Sequence, residues 1–262
     1  MRINHTLARL QNQDIALGCA LQQYRSAEIP RALAAAGFDY VFIDAEHSSF
    51  DLETIHDMIS SAVGAGITPL VRVAELHYSL VARFLDAGAQ GIILPRVESR
   101  PQLEEAISWM RFPPLGKRGF GVMAPLLDYK ESSAPEIIAH LNANTMVIAQ
   151  IETRTAIERM DDLLSAPGID VAMVGPSDLS VSLGVAGDME HPKLTGAISQ
   201  FIEACQKHGV VPGIHCRSAE QANGWIQKGM RFVGAGGEHG LLFEKAQETV
   251  TRLRTTAGTA LR

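Results

Sequence analysis

Two carboxylates close two apolar runs in matching settings: Met146-Val-Ile-Ala-Gln-Ile-Glu152 and Val171-Ala-Met-Val-Gly-Pro-Ser-Asp178. An apolar run of this length reads as a strand covered on both faces, where an acidic group is tolerated chiefly if paired, hydrogen-bonded or metal-bound. Together, Glu152 and Asp178 point to a divalent cation. Oxygen-only ligation favours Mg²⁺ or Mn²⁺, which keep positions open for water and substrate. The competing assignment is structural, since Ser177 and Asp178 are both good N-cap types and either carboxylate could cap a following helix.

Other reactive side chains stand at comparable positions. One apolar run ends in Asp44-Ala-Glu-His47, which offers a histidine base beside two carboxylates. Arg72, in Pro69-Leu-Val-Arg-Val73, either pairs with Glu75 or aims its permanently charged fork at an anionic ligand. Gln150, two residues before Glu152, adds a polar amide at the same strand end. Gly234-Ala-Gly-Gly237 could cradle a phosphate at a helix start, although a plain turn is the simpler assignment. Cys19, Cys205 and Cys216 lack metal or redox spacing and read as reduced structural thiols.

The elements that must carry these residues repeat. Short apolar runs occur at Ile15 to Leu21, Tyr40 to Ile43, Thr68 to Val73, Gly91 to Leu94, Met146 to Ile151, Val171 to Val174, Val211 to His215 and Phe232 to Gly234. Amphipathic segments ending in Gly lie between most of them, such as Val81-Ala-Arg-Phe-Leu-Asp-Ala-Gly88. Eight βα units predict a closed (β/α)8 TIM barrel, a single domain over 1–262, with catalytic residues just after the strands. An open doubly wound sheet is the alternative, weakened because no Gly-rich dinucleotide fingerprint follows the first run. The Pro- and Gly-rich stretch from Arg111 to about Ser133 breaks the repeat and is expected to fold over the barrel mouth. Leu241 to Leu261 reads as an amphipathic helix that closes the barrel or docks on a neighbour.

Composition narrows the function classes. Hydrophobic residues at 46% and charged residues at 20% describe a globular chain, and a net charge of -6 without a basic cluster argues against nucleic-acid binding. The chain shows neither an apolar stretch of membrane-spanning length nor a signal-peptide core at Met1-Arg-Ile-Asn-His-Thr, so a cytoplasmic protein without membrane association is expected.

The set Asp44-Ala-Glu-His47, Arg72, Leu94-Pro95, Arg111-Phe-Pro-Pro-Leu-Gly-Lys-Arg-Gly119, Gln150-Ile-Glu-Thr153 and Gly175-Pro-Ser-Asp-Leu-Ser180 resembles the HpcH/HpaI family of metal-dependent class II pyruvate aldolases, from about Ile15 to Ala246. The resemblance implies reversible cleavage of a 4-hydroxy-2-oxo acid to pyruvate and an aldehyde, through a pyruvate enolate stabilised by Mg²⁺, Mn²⁺ or Co²⁺. It implies that Glu152 and Asp178 hold the metal, that Gln150 and Ser177, with Arg72 and Asp178, contact the substrate, that His47 is the base, and that Arg72 stabilises the transition state. It further implies catalytic parts for Asp44 and for Asp86, the latter raising the basicity of the histidine. Asp86 precedes the fourth run and should lie on the opposite face of its own barrel, so it can reach His47 only from another subunit. A homo-oligomer follows, a hexamer with exchanged terminal helices by resemblance.

The absence of a lysine at any strand end argues against the Schiff-base class of aldolase. His215-Cys-Arg217 and Gly237-Glu-His239 depart from the family, which commonly has an apolar segment and an Asp there; the lid sequence Phe120-Gly-Val-Met-Ala-Pro125 is also individual. Arg217 and the Lys117 to Pro125 lid are therefore expected to choose the aldehyde half, Arg217 favouring an acidic or polyhydroxylated one. The rival activities are a coenzyme A thioester lyase of the citramalyl or malyl type and a phosphoenolpyruvate-type phosphoryl transferase or mutase. A non-catalytic binding barrel is a third.

Overall fold

The computed structural model describes residues 1–122 and 124–257. The strands are β1 (Ala16–Leu21), β2 (Tyr40–Asp44), β3 (Thr68–Arg72), β4 (Gly91–Leu94), β5 (Met146–Ile151), β6 (Val171–Val174), β7 (Val211–Cys216) and β8 (Phe232–Gly237). They pair in parallel, each with its chain neighbour, and β8 closes onto β1. The helices in chain order are α1 (His5–Gln11), α2 (Glu28–Ala36), α3 (Leu52–Ala65), α4 (Tyr78–Asp86), α5 (Arg100–Met110), α6 (Ala134–Asn144), α7 (Arg154–Glu158), α8 (Met160–Leu164), α9 (Pro176–Ser182), α10 (Pro192–His208), α11 (Ala219–Ile226) and α12 (Glu238–Ala257).

Strand periodicity sorts the core into two clusters. Ala20, Phe42, Leu70, Ile93, Ile148, Met173 and Phe232 face the barrel axis, while Cys19, Val41, Ile43, Val71, Ile92, Val147 and Val174 pack outward with the helices. Leu7 and Leu10 of α1 join the axial cluster. Thr6 hydrogen-bonds the Asp39 carbonyl and Thr68, and Asn4 donates to the carbonyls of Gln90 and Asn144, all at or just before strand starts. The first helix therefore plugs the base of the barrel and leaves the opposite end as its mouth. The three cysteines are free and buried, and burial pushes the Cys216 thiol up to about 12.

Two expectations are corrected. The Arg111–Ser133 stretch does not cover the mouth of its own barrel. It follows α5, which carries the chain from the mouth back to the base, and Arg111 donates to the Thr145 carbonyl ahead of β5 and pairs with Asp170 ahead of β6. Buried Arg118 then meets Asp86 at the end of α4 at 2.8 Å, so the excursion packs at the N-terminal face. Met123 of the expected lid lies outside the described residues. Gly234–Gly237 is neither turn nor phosphate cradle: β8 runs through Gly237. The carboxylate of Glu238, which comes next, accepts the backbone N–H groups of Gln22, Gln23 and Tyr24 and would repel an anion. The final helix is present to Ala257, with Leu242, Phe243 and Leu253 on its exposed surface; residues 258–261 of the expected helix lie outside the described residues.

Candidate active site

Asp44 and Arg72 end adjacent strands and are direct partners in the β2–β3 register. Asp44 is fully buried, and its two oxygens take a bidentate grip on the guanidinium, Nε to Oδ1 at 3.0 Å and Nη2 to Oδ2 at 2.6 Å. The same carboxylate accepts the Gln22 amide and the backbone N–H groups of Glu46 and His47. Burial pushes its pKa up, but the Arg72 hydrogen bonds and charge, with the Gln22 and His47 bonds, outweigh this and hold it below the usual carboxylate range. Arg72 is pushed down by burial and more strongly up by Asp44, Glu46 and Glu152, so its pKa is raised. Its partners are therefore Asp44 and Glu46, the latter at 3.4 Å, and not Glu75.

Across the mouth, Glu152 follows β5 with Gln150 two residues behind it, and Asp178 stands in the first turn of α9 beyond β6. The N-cap of α9 is Gly175, without a side-chain capping bond, so neither Ser177 nor Asp178 is the cap. Glu152 is buried and accepts the Arg96 backbone N–H at 2.9 Å and the Gln150 amide. Arg96 adopts a φ of 52°, a left-handed conformation uncommon for a side-chain-bearing residue, as it presents that N–H. Gly175 lets the backbone pass: a Cβ there would lie 2.8 Å from Glu152 Oε2 and 3.1 Å from Gln150 Nε2.

Burial raises the pKa of Glu152, and the charges of Asp178 and Glu46 add to it against the Arg96 and Gln150 hydrogen bonds. Gln150 Oε1 and Glu46 Oε2 are buried without hydrogen-bond partners. Repelling carboxylates beside an orphaned amide oxygen fit a hard divalent cation. Among the described residues no group of three or more His, Cys, Asp or Glu could hold a metal; Glu152 and Asp178, which repel each other, are the candidate carboxylate pair. One or two protein carboxylates suit Mg²⁺, which otherwise keeps water and substrate oxygens.

His47 is exposed beside the mouth, anchored by its backbone bond to Asp44, with Nε2 3.8 Å from Glu46 Oε1. Ser177 is also exposed there, and Arg217 follows β7 with an exposed side chain. Asp86 is not part of this cluster; it ends α4 at the base, paired with Arg118. Sequence reasoning missed Gln22 and Arg96, and it met His215 only within a departure from the family pattern, without giving it a place in the site. Gln22 and Arg96 act from loops and carry no periodic signal, whereas His215 shares the parity of Val211 and Gly213 along β7 and could have been placed on the axial face.

A model of the family described as HpcH/HpaI aldolase/citrate lyase matches residues 23–244. The 4-hydroxy-2-oxo-heptane-1,7-dioate aldolase of Escherichia coli is 31% identical over 93% of this chain and 91% of its own. The 5-keto-4-deoxy-D-glucarate aldolase of Klebsiella pneumoniae is 30% identical, covering 94% of each. Among solved structures, the HpcH/HpaI aldolase from Desulfitobacterium hafniense superposes with a TM-score of 0.89 at 30% identity, over 94% of this chain and 95% of that one. The match spans every strand that carries a candidate site residue, and on that ground the chain belongs to the HpcH/HpaI aldolase/citrate lyase family.

Proposed function

We propose that this protein is a metal-dependent pyruvate aldolase that cleaves a 4-hydroxy-2-oxo acid to pyruvate and an aldehyde and also runs in reverse. The observation that carries the reading is the mouth itself: a guanidinium fixed by Asp44 shares it with the mutually repelling carboxylates Glu152 and Asp178. The aldolase names of the relatives support it. Glu152 and Asp178 would hold Mg²⁺, Mn²⁺ or Co²⁺, which when bound supplies a Lewis acid for negative charge on the 2-oxo oxygen. Gln150 and Ser177 orient the pyruvyl end. His47 takes the proton of the 4-hydroxyl, the C3–C4 bond breaks as the aldehyde carbonyl forms, and the electron pair passes toward the 2-oxo oxygen. Arg72, already desolvated and aimed, stabilises that charge without reorganising. Return of one proton to C3 completes pyruvate.

Asp86 acts, on this reading, from a neighbouring subunit in a homo-oligomer, with the hexamer of the resemblance as the assembly. The Arg111–Ser133 excursion, packed beside Asp86, would reach the same neighbouring mouth, and Arg217 would help choose the aldehyde from its own rim.

Pyruvate release from a panel of 4-hydroxy-2-oxo acids, with and without chelator, tests the reading. Cleavage that stops on chelation and returns with added metal is expected, and His47→Ala should lose about 10²-fold or more. Full turnover after exhaustive chelation, or release of acetate or phosphate in place of pyruvate, rejects it.

A further inference from the structure

His215 is the polar side chain of the mouth to which no part has yet been given. It lies near the end of β7 with the parity of axial Val211, while its neighbours Ile214 and Cys216 pack outward. Its ring meets Phe42 edge-on at 5.2 Å, and the guanidinium of Arg72 sits over the same Phe42 at 5.3 Å. The imidazole is thus seated between the axial core and the arginine of the proposed site. Gly234 on β8 makes the room, since a Cβ there would fall 2.0 Å from Nδ1.

The seat is poor for a purely structural histidine. Nδ1 is buried and no hydrogen bond to it has ordinary geometry, although the Gly236 backbone lies close enough to act on the ring, and an apolar side chain of similar size would avoid that loss among such neighbours. The residue as a whole is only half-buried. With Nδ1 enclosed against β8, Nε2 is the ring nitrogen that a ligand in the mouth would have to meet. Burial and the nearby Arg72 charge lower the pKa to about 4, against smaller effects of the Gly236 backbone and Asp44. The ring therefore stays neutral at physiological pH, with one N–H and one lone pair. Such a group matches a hydroxyl, which can give and accept, and lends no charge to a carboxylate.

We infer that His215 is a specificity-determining residue that hydrogen-bonds a hydroxyl on the aldehyde half of the substrate. This rests on the aldolase reading above. On that reading the pyruvyl end sits with Gln150, Glu152 and Asp178 at β5 and β6, and β7 is the next strand round the barrel, so an aldehyde half extending that way would meet His215. Arg72, Phe42 and His215 then form one wall, with the cation answering the developing charge and the neutral ring answering the hydroxyl.

The test is aldol addition of pyruvate to glycolaldehyde and to acetaldehyde, two acceptors that differ by that hydroxyl. Wild type should favour glycolaldehyde in kcat/KM by about tenfold, the worth of one well-made hydrogen bond. His215→Leu should erase the preference mainly through KM for glycolaldehyde, and His215→Gln, which keeps a hydrogen-bonding end, should recover most of it. No preference in wild type, equal losses on both acceptors in His215→Leu, or no recovery in a folded His215→Gln overturns the inference. Metal-dependent exchange of the pyruvate methyl protons in D₂O, followed by NMR on wild type, separates the two levels. If exchange occurs and the preference does not depend on residue 215, only this inference fails. Absence of exchange and of cleavage with every metal removes the aldolase reading and this inference with it.

Discussion

Arg72 is held as a fork by Asp44 and has no freedom to compensate for a change of shape. Arg72→Lys keeps the charge but cannot reproduce two parallel hydrogen bonds, so kcat/KM is expected to fall by about 10²-fold or more, read by steady-state pyruvate release. Glu152 makes the opposite case. Its carboxylate is buried, repelled by Asp178 and Glu46, and raised in pKa, which marks the charged form as unfavourable without a cation. Saturating metal, at about a hundredfold over Kd, should add about 2.7 kcal/mol of stability and raise the Tm of wild type by roughly 5–10 °C. Glu152→Gln should abolish that rise while leaving the chelated protein as stable as wild type or more so; an undiminished rise would remove Glu152 from the metal site. Residues of this kind are legible in sequence because a carboxylate or arginine at the end of an apolar run is chemically out of place. Gln22 and Arg96 are not, since each contributes through a loop whose path depends on distant partners.

All eight strands could be read from apolar runs, because buried parallel strands have no polar face to blur them. Their ends were less visible: β7 continues to Cys216 and β8 to Gly237, where pairing across the barrel extends strands that composition alone would stop. The base plug α1 and the true side of the Arg111–Ser133 stretch were hidden for a related reason, as both are decided by partners far along the chain, Asp39, Gln90, Asp86 and Asp170. Glu238 shows how one element is tied to the site. It opens α12, gathers three amides of the loop after β1, and so presents Gln22 to Asp44. Glu238→Ala leaves those amides without their acceptor; a loss of about 2 kcal/mol and a Tm drop of roughly 4–8 °C are expected by thermal melting, with a fall in kcat that no active-site contact of residue 238 would explain.

For the molecule as a whole, α12 carries exposed Leu242, Phe243 and Leu253, and Asp86 lies at the far end of the barrel from His47. If assembly unites them, replacing those three apolar residues by Glu should lower both solution mass, measured by light scattering, and activity. Asp86→Asn should slow turnover about tenfold yet leave mass and metal-induced stabilisation intact. Equal activity in an isolated monomer would reject a shared site. The plug at the base has a kinetic consequence of its own. With Leu7 and Leu10 filling that end, reactants and products must use one doorway. If the pyruvyl end sits among buried Gln150 and Glu152, as proposed, that fragment should be first in and last out. Cleavage then releases the aldehyde before pyruvate, so pyruvate should inhibit competitively against the 4-hydroxy-2-oxo acid and the aldehyde noncompetitively. The reverse pattern would mean that the depth of the site does not govern the order of departure.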